Sequence, residues 1–310
     1  MGLAFVFPGQ GAQTIGMGRD LADAYPEARA VFDEVDDALG EKLSALIWDG
    51  DQETLTLTQN AQPALMAMSM AVVRALEVEG VMISDGDYVA GHSLGEYSAL
   101  CAAGAFTISD AARLLRLRGQ AMQAAVPVGE GAMAAILGLD IDAVQALAAD
   151  ASEGEVCEAA NDNDPAQVVI SGHKAAVERG AALAKERGAK RALMLPVSAP
   201  FHSALMAPAA DAMAEALADV ASKDPVIPVV ANVLARPVSE ASAIVPLLVQ
   251  QVTHSVRWRE SVAWMAGEGG ITTFWEVGAG KALTGMIRRI AKEAETKALS
   301  SPADVAAAKD

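Results

Sequence analysis

Gly91-His92-Ser93-Leu94-Gly95 sets a serine between two glycines at a G-x-S-x-G spacing. The apolar stretch Tyr88-Val89-Ala90 precedes it, and an Ala-rich helical stretch to about Ala103 follows. A sharp strand-to-helix turn crowds the backbone on both sides of such a serine. Flanking glycines relieve that crowding and leave the hydroxyl clear of the sheet. The Leu94 amide, at the helix start, would point toward an oxyanion formed there. The chemistry this spacing supports is nucleophilic acyl transfer through Ser93. A Gly-Ser-Gly turn that merely caps a helix is the bland alternative, and the strand before and helix after weigh against it.

A serine hydroxyl is a weak nucleophile until a neighbour takes its proton, and the chain offers four histidines. His92 is adjacent, but on such an elbow its side chain should point away from Ser93 and pack or bond to backbone. His173, after Ser171-Gly172 at a helix start, reads as a surface or capping residue. His254 lies near Trp258 with no supporting pattern. His202 sits in Ser198-Ala199-Pro200-Phe201-His202-Ser203, a loop that two prolines constrain and that opens a helix, which suits a positioned base.

The elements that must hold these groups alternate between strand and helix. Leu3 to Phe7 is an apolar run stopped by Pro8-Gly9, as in a buried strand. Helical spacing follows over about 17–39 and 63–79, and Ser109 reads as the N-cap of a further helix that carries Arg113, Arg116 and Arg118. From Pro127 the order changes. Strands are expected at 131–139, 155–160, 167–171 and 191–195, with helices at about 140–149 and 174–187 between them. This is the β-α-β-β-α-β order of a ferredoxin-like unit. Helix–strand alternation then resumes, with helices over 203–220, 245–252 and 260–265 and strands at 228–231 and 272–277. Gly278-Ala279-Gly280 reads as a packing turn, because it lacks the third glycine and downstream acid of a dinucleotide site. The tail after about Lys297 is expected to fray. The fold class is therefore α/β: a large domain of residues 1–126 and 199–310 with a parallel sheet, and an inserted ferredoxin-like subdomain of residues 127–198.

Composition bounds the function. The 310 residues carry a formal net charge of −17, so nucleic acid and anionic membrane surfaces would repel the chain. Cys101 and Cys157 form no CxxC pair and read as buried thiols in a reducing compartment. Met1 to Phe7 lacks the basic start of a signal peptide, and no stretch approaches the roughly 20 apolar residues of a membrane span. A cytoplasmic monomer is the default expectation.

Several segments together resemble the malonyl-CoA:acyl carrier protein transacylases. They are Phe5-Val6-Phe7-Pro8-Gly9-Gln10-Gly11-Ala12-Gln13, Gly91 through Leu100, Ala160-Asn161-Asp162-Asn163 with Gln167 through Gly172, Ala199 through Ser203, and Gln251 with Val256-Arg257-Trp258. They occur in the family's order and cover nearly the whole chain. The resemblance implies a hydrolase-like α/β domain with a ferredoxin-like insert. It implies an ester on Ser93, His202 as base, and the amides of Gln10 and Leu94 as oxyanion hole. Gln251 would orient the imidazole through a backbone or side-chain carbonyl in place of a carboxylate. Arg118 would hold the free carboxylate of malonate, for which a planar guanidinium is suited. Phe201, just before the base, is expected to narrow the pocket against a substituent on the malonyl α-carbon. Arg113 and Arg116 fall at other helical angles and are expected in solvent. Asn161-Asp162-Asn163 reads equally well as an Asx turn. The implied reaction is ping-pong transfer of malonyl from coenzyme A to acyl carrier protein for fatty acid synthesis, with no metal or redox cofactor. Lys190-Arg191 and Arg288-Arg289 are candidate basic sites for docking an acidic carrier.

Two other readings stand beside this one. A serine hydrolase or thioesterase shares the nucleophile, but it would want a carboxylate behind the histidine and often an HGGG loop, which the chain lacks. A non-catalytic binding module with a degenerate site is the second. The full set of Ser93, His202, Arg118 and Gln251 argues against it.

Overall fold

The computed structural model describes residues 2–197 and 199–309; Ser198, in the loop of the candidate base, lies outside the described residues. A six-stranded sheet runs in the order β10-β9-β1-β2-β7-β8. Its strands are β1 (Gly2–Phe7), β2 (Tyr88–Gly91), β7 (Val229–Ala231), β8 (Arg236–Val238), β9 (Ile271–Val277) and β10 (Glu295–Leu299). All neighbours pair in parallel except β8, which turns back on β7. The uninterrupted apolar run of β1 follows from burial on two faces. Phe5 and Phe7 join one core with Leu65 and Leu100, while Ala4 and Val6 join another with Trp258 and Phe274.

A second sheet holds β3 (Gly131–Leu137), β4 (Cys157–Asp164), β5 (Gln167–His173) and β6 (Arg191–Met194). It is antiparallel throughout, in the order β4-β5-β3-β6. With helices Ile141–Ser152 and Lys174–Glu186 between its strands, this is the ferredoxin-like arrangement. The helices bury Ala132, Ala134 and Ile136 on one face of β3. Met133 and Ala135 on the other face pack with Val169, Val197 and Phe201. That second face looks onto the loop of His202.

The two sheets are stitched together along β4. Asp162 N donates to Val256 O at 3.0 Å and Val256 N to Ala160 O at 2.9 Å. The buried carboxylates of Asp162 and Asp164 pair with Arg259 and Arg289, at 2.8 and 2.7 Å. Burial raises the Asp162 pKa against the opposing pull of Arg259.

The structure departs from the sequence-based expectations in places where tertiary contacts override local signals. Residues 161–163 are not an Asx turn: β4 continues through Asp164, because backbone and side chains there find partners in Val256, His92 and Arg259. The tail does not fray. β10 pairs with β9, and a helix Pro302–Ala306, capped by Ser301, buries Val305. Thr107, not Ser109, caps the helix Ile108–Ala124, accepting from Asp110 N; Ser109 Oγ instead donates to Glu34. Residues 17–39 form two helices, Arg19–Ala24 and Pro26–Leu39, because Pro26 starts a new first turn. Arg116 is not solvated but held by Asn60 and Glu41, while Arg113 stays exposed and pairs with Asp110.

Candidate active site

The turn that carries Ser93 is built by exclusion. A Cβ on Gly91 would stand 1.8 Å from Gly95 O, and one on Gly95 would stand 2.3 Å from Phe7 O. Only hydrogens fit at both positions, so the chain can reverse against β1. Between them Ser93 takes φ 54, the left-handed region that side chains avoid. Asn232, buried just past β7, holds this strained turn from below. Its Oδ1 accepts from Ser93 N at 2.8 Å and its Nδ2 donates to Gly91 O at 2.7 Å.

His202 also has a left-handed backbone, with φ 56, and only 4% of it is exposed. Its Nδ1 lies 2.8 Å from the backbone carbonyl of Gln251, which can only accept. The ring hydrogen therefore sits on Nδ1 and donates to that carbonyl, leaving the Nε2 lone pair to accept from Ser93 Oγ at 2.7 Å. Burial, followed by the Arg118 charge, pushes the imidazole down to about 3. It is neutral at pH 7 and able to take a proton. An oxyanion forming beside it would offset part of the cost of the imidazolium.

Arg118 is 1% exposed, and its guanidinium meets neutral partners. Its Nη1 donates to Gln62 Oε1 at 2.7 Å, and its Nη2 donates to Gln251 Oε1 at 2.8 Å and Ser93 Oγ at 3.2 Å. Its carbon lies 5.7 Å from the centroid of the Tyr97 ring, and its Nε finds no hydrogen-bond partner. Burial lowers its proton affinity, yet a guanidinium stays charged. Among the described residues no carboxylate pairs with it within 4.0 Å; the Glu96 carboxyl acts on it from farther away, and its direct partners are neutral. The neighbouring glycine makes this placement possible: a Cβ on Gly119 would stand 2.5 Å from Gln59 Cα, so the helix lies directly on the one that carries Gln62.

A cavity of about 260 Å³ collects these groups, with Gln10, Leu94 and Phe201 on its wall. Gly9 lets the chain pass against the elbow, since a Cβ there would meet His92 O at 2.8 Å, and this brings Gln10 alongside Ser93. Gln10, Thr56 and Val197 also line an adjoining hollow. The expected residues Ser93, His202, Arg118, Gln251, Gln10, Leu94 and Phe201 thus converge. Gln251 contributes twice, by its backbone to His202 and by its side chain to Arg118. His92 points away from Ser93, as its place on the elbow requires, and packs edge-on against Trp258 with ring centroids 5.8 Å apart, its Nε2 lying 2.8 Å from Asn163 Oδ1. His173 ends β5 and accepts from Val156 N, and His254 lies outside the cluster, exposed. Of the basic pairs, Arg289 is committed to Asp164 and Arg288 to Thr296, while Lys190 and Arg191 are exposed where β6 begins.

Sequence reasoning assigned no role to Asn232, Glu96 or Gln62. Two of them carried a signal. Glu96 is the lone charge in a helix, Gly95–Ala102, that is otherwise small or apolar, and Asn232 follows the carboxyl end of a parallel strand, where open α/β sheets place their sites.

The acyl transferase domain family matches residues 4–306. Over 301 residues, 97% of this chain and 94% of the other, it is 48% identical to the malonyl CoA-acyl carrier protein transacylase of Bacillus subtilis. The crystal structure of acyl-carrier-protein-S-malonyltransferase from Bartonella henselae superposes with a TM-score of 0.97 at 55% identity, covering 99% of this chain and 98% of that one. A malonyl-transacylase solved in complex with its type II PKS acyl-carrier protein superposes at 0.96 with 43% identity over the full length of both chains.

Proposed function

This chain belongs to the acyl transferase family, and from that premise we propose that it moves malonyl from coenzyme A to acyl carrier protein through an ester on Ser93. The observation that carries the reading is the triangle of Ser93, His202 and a buried Arg118 whose direct hydrogen-bond partners, among the described residues, are all neutral. The acyl end of malonyl-CoA carries one free carboxylate, and that carboxylate is what a guanidinium next to the nucleophile selects. With it on Arg118, the thioester carbonyl lies against Ser93 Oγ. His202 Nε2 takes the hydroxyl proton as Oγ bonds to the carbonyl carbon, and the amides of Gln10 and Leu94 receive the oxyanion. Collapse of the intermediate breaks the carbon–sulfur bond, and the His202 proton goes to the leaving thiolate. The phosphopantetheine thiol of acyl carrier protein then attacks the ester in the same way, giving a ping-pong cycle that supplies malonyl units for fatty acid synthesis. The chemistry calls for no metal or redox group, and the exposed Lys190-Arg191 pair is suited to meet an acidic carrier. A monomer in the cytoplasm fits this role, as does a division into a large domain of residues 1–126 and 199–310 and a subdomain of 127–198. The hydrolase reading loses support, because the group behind His202 is a backbone carbonyl.

Intact-mass measurement after mixing with malonyl-, methylmalonyl- and acetyl-CoA tests the proposal. A malonyl adduct is expected, lost in Ser93→Ala. Arg118→Ala should slow malonyl loading at least ~30-fold more than acetyl loading, about 2 kcal/mol for a truncated buried charge partner. Phe201→Ser should admit methylmalonyl-CoA. Equal losses on malonyl and acetyl would remove the clamp, an unchanged acyl preference would remove the role of Phe201, and rapid CoA release to water without carrier would favour the hydrolase.

A further inference from the structure

The direction of the Arg118 donors depends on a side-chain amide that could sit either way round. Gln251 Oε1 accepts from Arg118 Nη2 at 2.8 Å. Turned end for end, the amide would set its NH2 against the guanidinium, donor to donor. What faces the other end of that amide decides the orientation. Gln251 Nε2 donates to Glu96 Oε2 at 2.7 Å, with Ser93 O at 3.0 Å and Asn232 Oδ1 at 3.4 Å on the same side. Glu96 is the shortest of the three contacts and the one carboxylate among them. It lies in the first turn of the helix that follows the elbow, 3% exposed, and its Oε2 also accepts from Asn232 N at 3.2 Å.

We infer that Glu96 is a positioning residue for recognition of the malonyl carboxylate: by holding the NH2 end of Gln251, it turns the amide oxygen toward Arg118 and so aims the guanidinium beside Ser93. The inference rests on the reading of Arg118 as the carboxylate clamp. Burial lifts Glu96 to about 7, so it is partly protonated near neutrality. A proton on Oε1 leaves Oε2 an acceptor, and the arrangement holds in both states. Because the same Oε2 accepts both bonds, a glutamine at this position can reproduce them with its single carbonyl oxygen. An alanine cannot.

The test compares steady-state kinetics and Ser93 loading of the full-length enzyme with malonyl-CoA and with acetyl-CoA. Glu96→Ala is expected to raise the malonyl-CoA KM about tenfold, the worth of one charge-assisted hydrogen bond, with a change several-fold smaller for acetyl loading. Glu96→Gln should recover most of the malonyl loss. If Glu96→Ala does not fold, Glu96→Asp takes its place, since it withdraws the carboxylate by one methylene and should show the same split. Equal losses on the two substrates, or a Glu96→Gln variant as impaired as Glu96→Ala, would overturn the inference. Arg118→Ala run alongside separates the failures. If it too shows no preference for harming malonyl, the clamp itself is wrong; if it does while the Glu96 variants do not, only the role of Glu96 falls.

Discussion

At the scale of single residues, the site works by keeping charged forms out of water in a fixed order. His202 is buried, donates Nδ1–H to a neutral carbonyl and lies near a cation, all of which disfavour the imidazolium except that one hydrogen bond. A free imidazole titrates near about 6.5. Here the folded value is about 3, so the neutral base persists as pH falls through the usual histidine range. The kcat/KM for malonyl-CoA should accordingly show no acidic limb near 6.5 in a pH–rate profile between 5 and 8. A limb at that value that persists in Glu96→Gln would mean that the ring is solvated in the working enzyme. Arg118 illustrates the converse: its buried guanidinium meets only neutral hydrogen-bond partners among the described residues, and the proposed clamp would have the substrate supply the matching carboxylate.

At the scale of elements, the nucleophile turn is a strained device held by its neighbours. Its two glycines are dictated by backbone so close that a Cβ would stand 1.8 and 2.3 Å from a carbonyl oxygen, and its left-handed serine is pinned by Asn232 at the Ser93 amide and the Gly91 carbonyl. Asn232→Ala leaves the buried Ser93 amide and Gly91 carbonyl without these partners, a loss of about 1–3 kcal/mol in chemical denaturation. Because the elbow serves every substrate, loading of malonyl and acetyl should slow alike, in contrast to the split expected at Glu96. An Asn232→Ala protein with unchanged stability and loading would show that the turn holds itself. The glycine beside Arg118 acts in the same way at the level of helix packing, by letting two helices approach until Arg118 reaches Gln62.

At the scale of the whole molecule, the small sheet is fixed to the large one by β4, and one wall of the site belongs to each. Asn163 buttresses His92 under the elbow, and Asn161 lines the cavity, while Asp162 and Asp164 between and beyond them anchor to Arg259 and Arg289. Removing one partner of a fully buried pair costs about 3–5 kcal/mol, and less where the other partner reaches solvent. Arg259 is 29% exposed, so Asp162→Ala should lower stability by about 1–3 kcal/mol and slow malonyl loading as Asn161 and Asn163 lose their register. Unchanged denaturation midpoints with full activity would show that the backbone bridge to Val256 alone is enough.

Much of this was legible in the residues themselves. The run Leu3 to Phe7, the glycines around Ser93 and the order of strands and helices in the insert follow from sterics and periodicity over a few residues, and those are local properties. The identity of the partners was not local. Ser93 and His202 are 109 positions apart, and Gln251 reaches Arg118 across 133. The sequence nominated His202 and Gln251, but it could not say that the backbone of Gln251 holds one and its side chain the other. Nor could it show Asn232 and Glu96 meeting beneath the turn, β4 running on through Asn161-Asp162-Asn163, or the tail closing as an edge strand. Those outcomes depend on which strands become neighbours and how close the backbones come, and only the assembled sheet decides that.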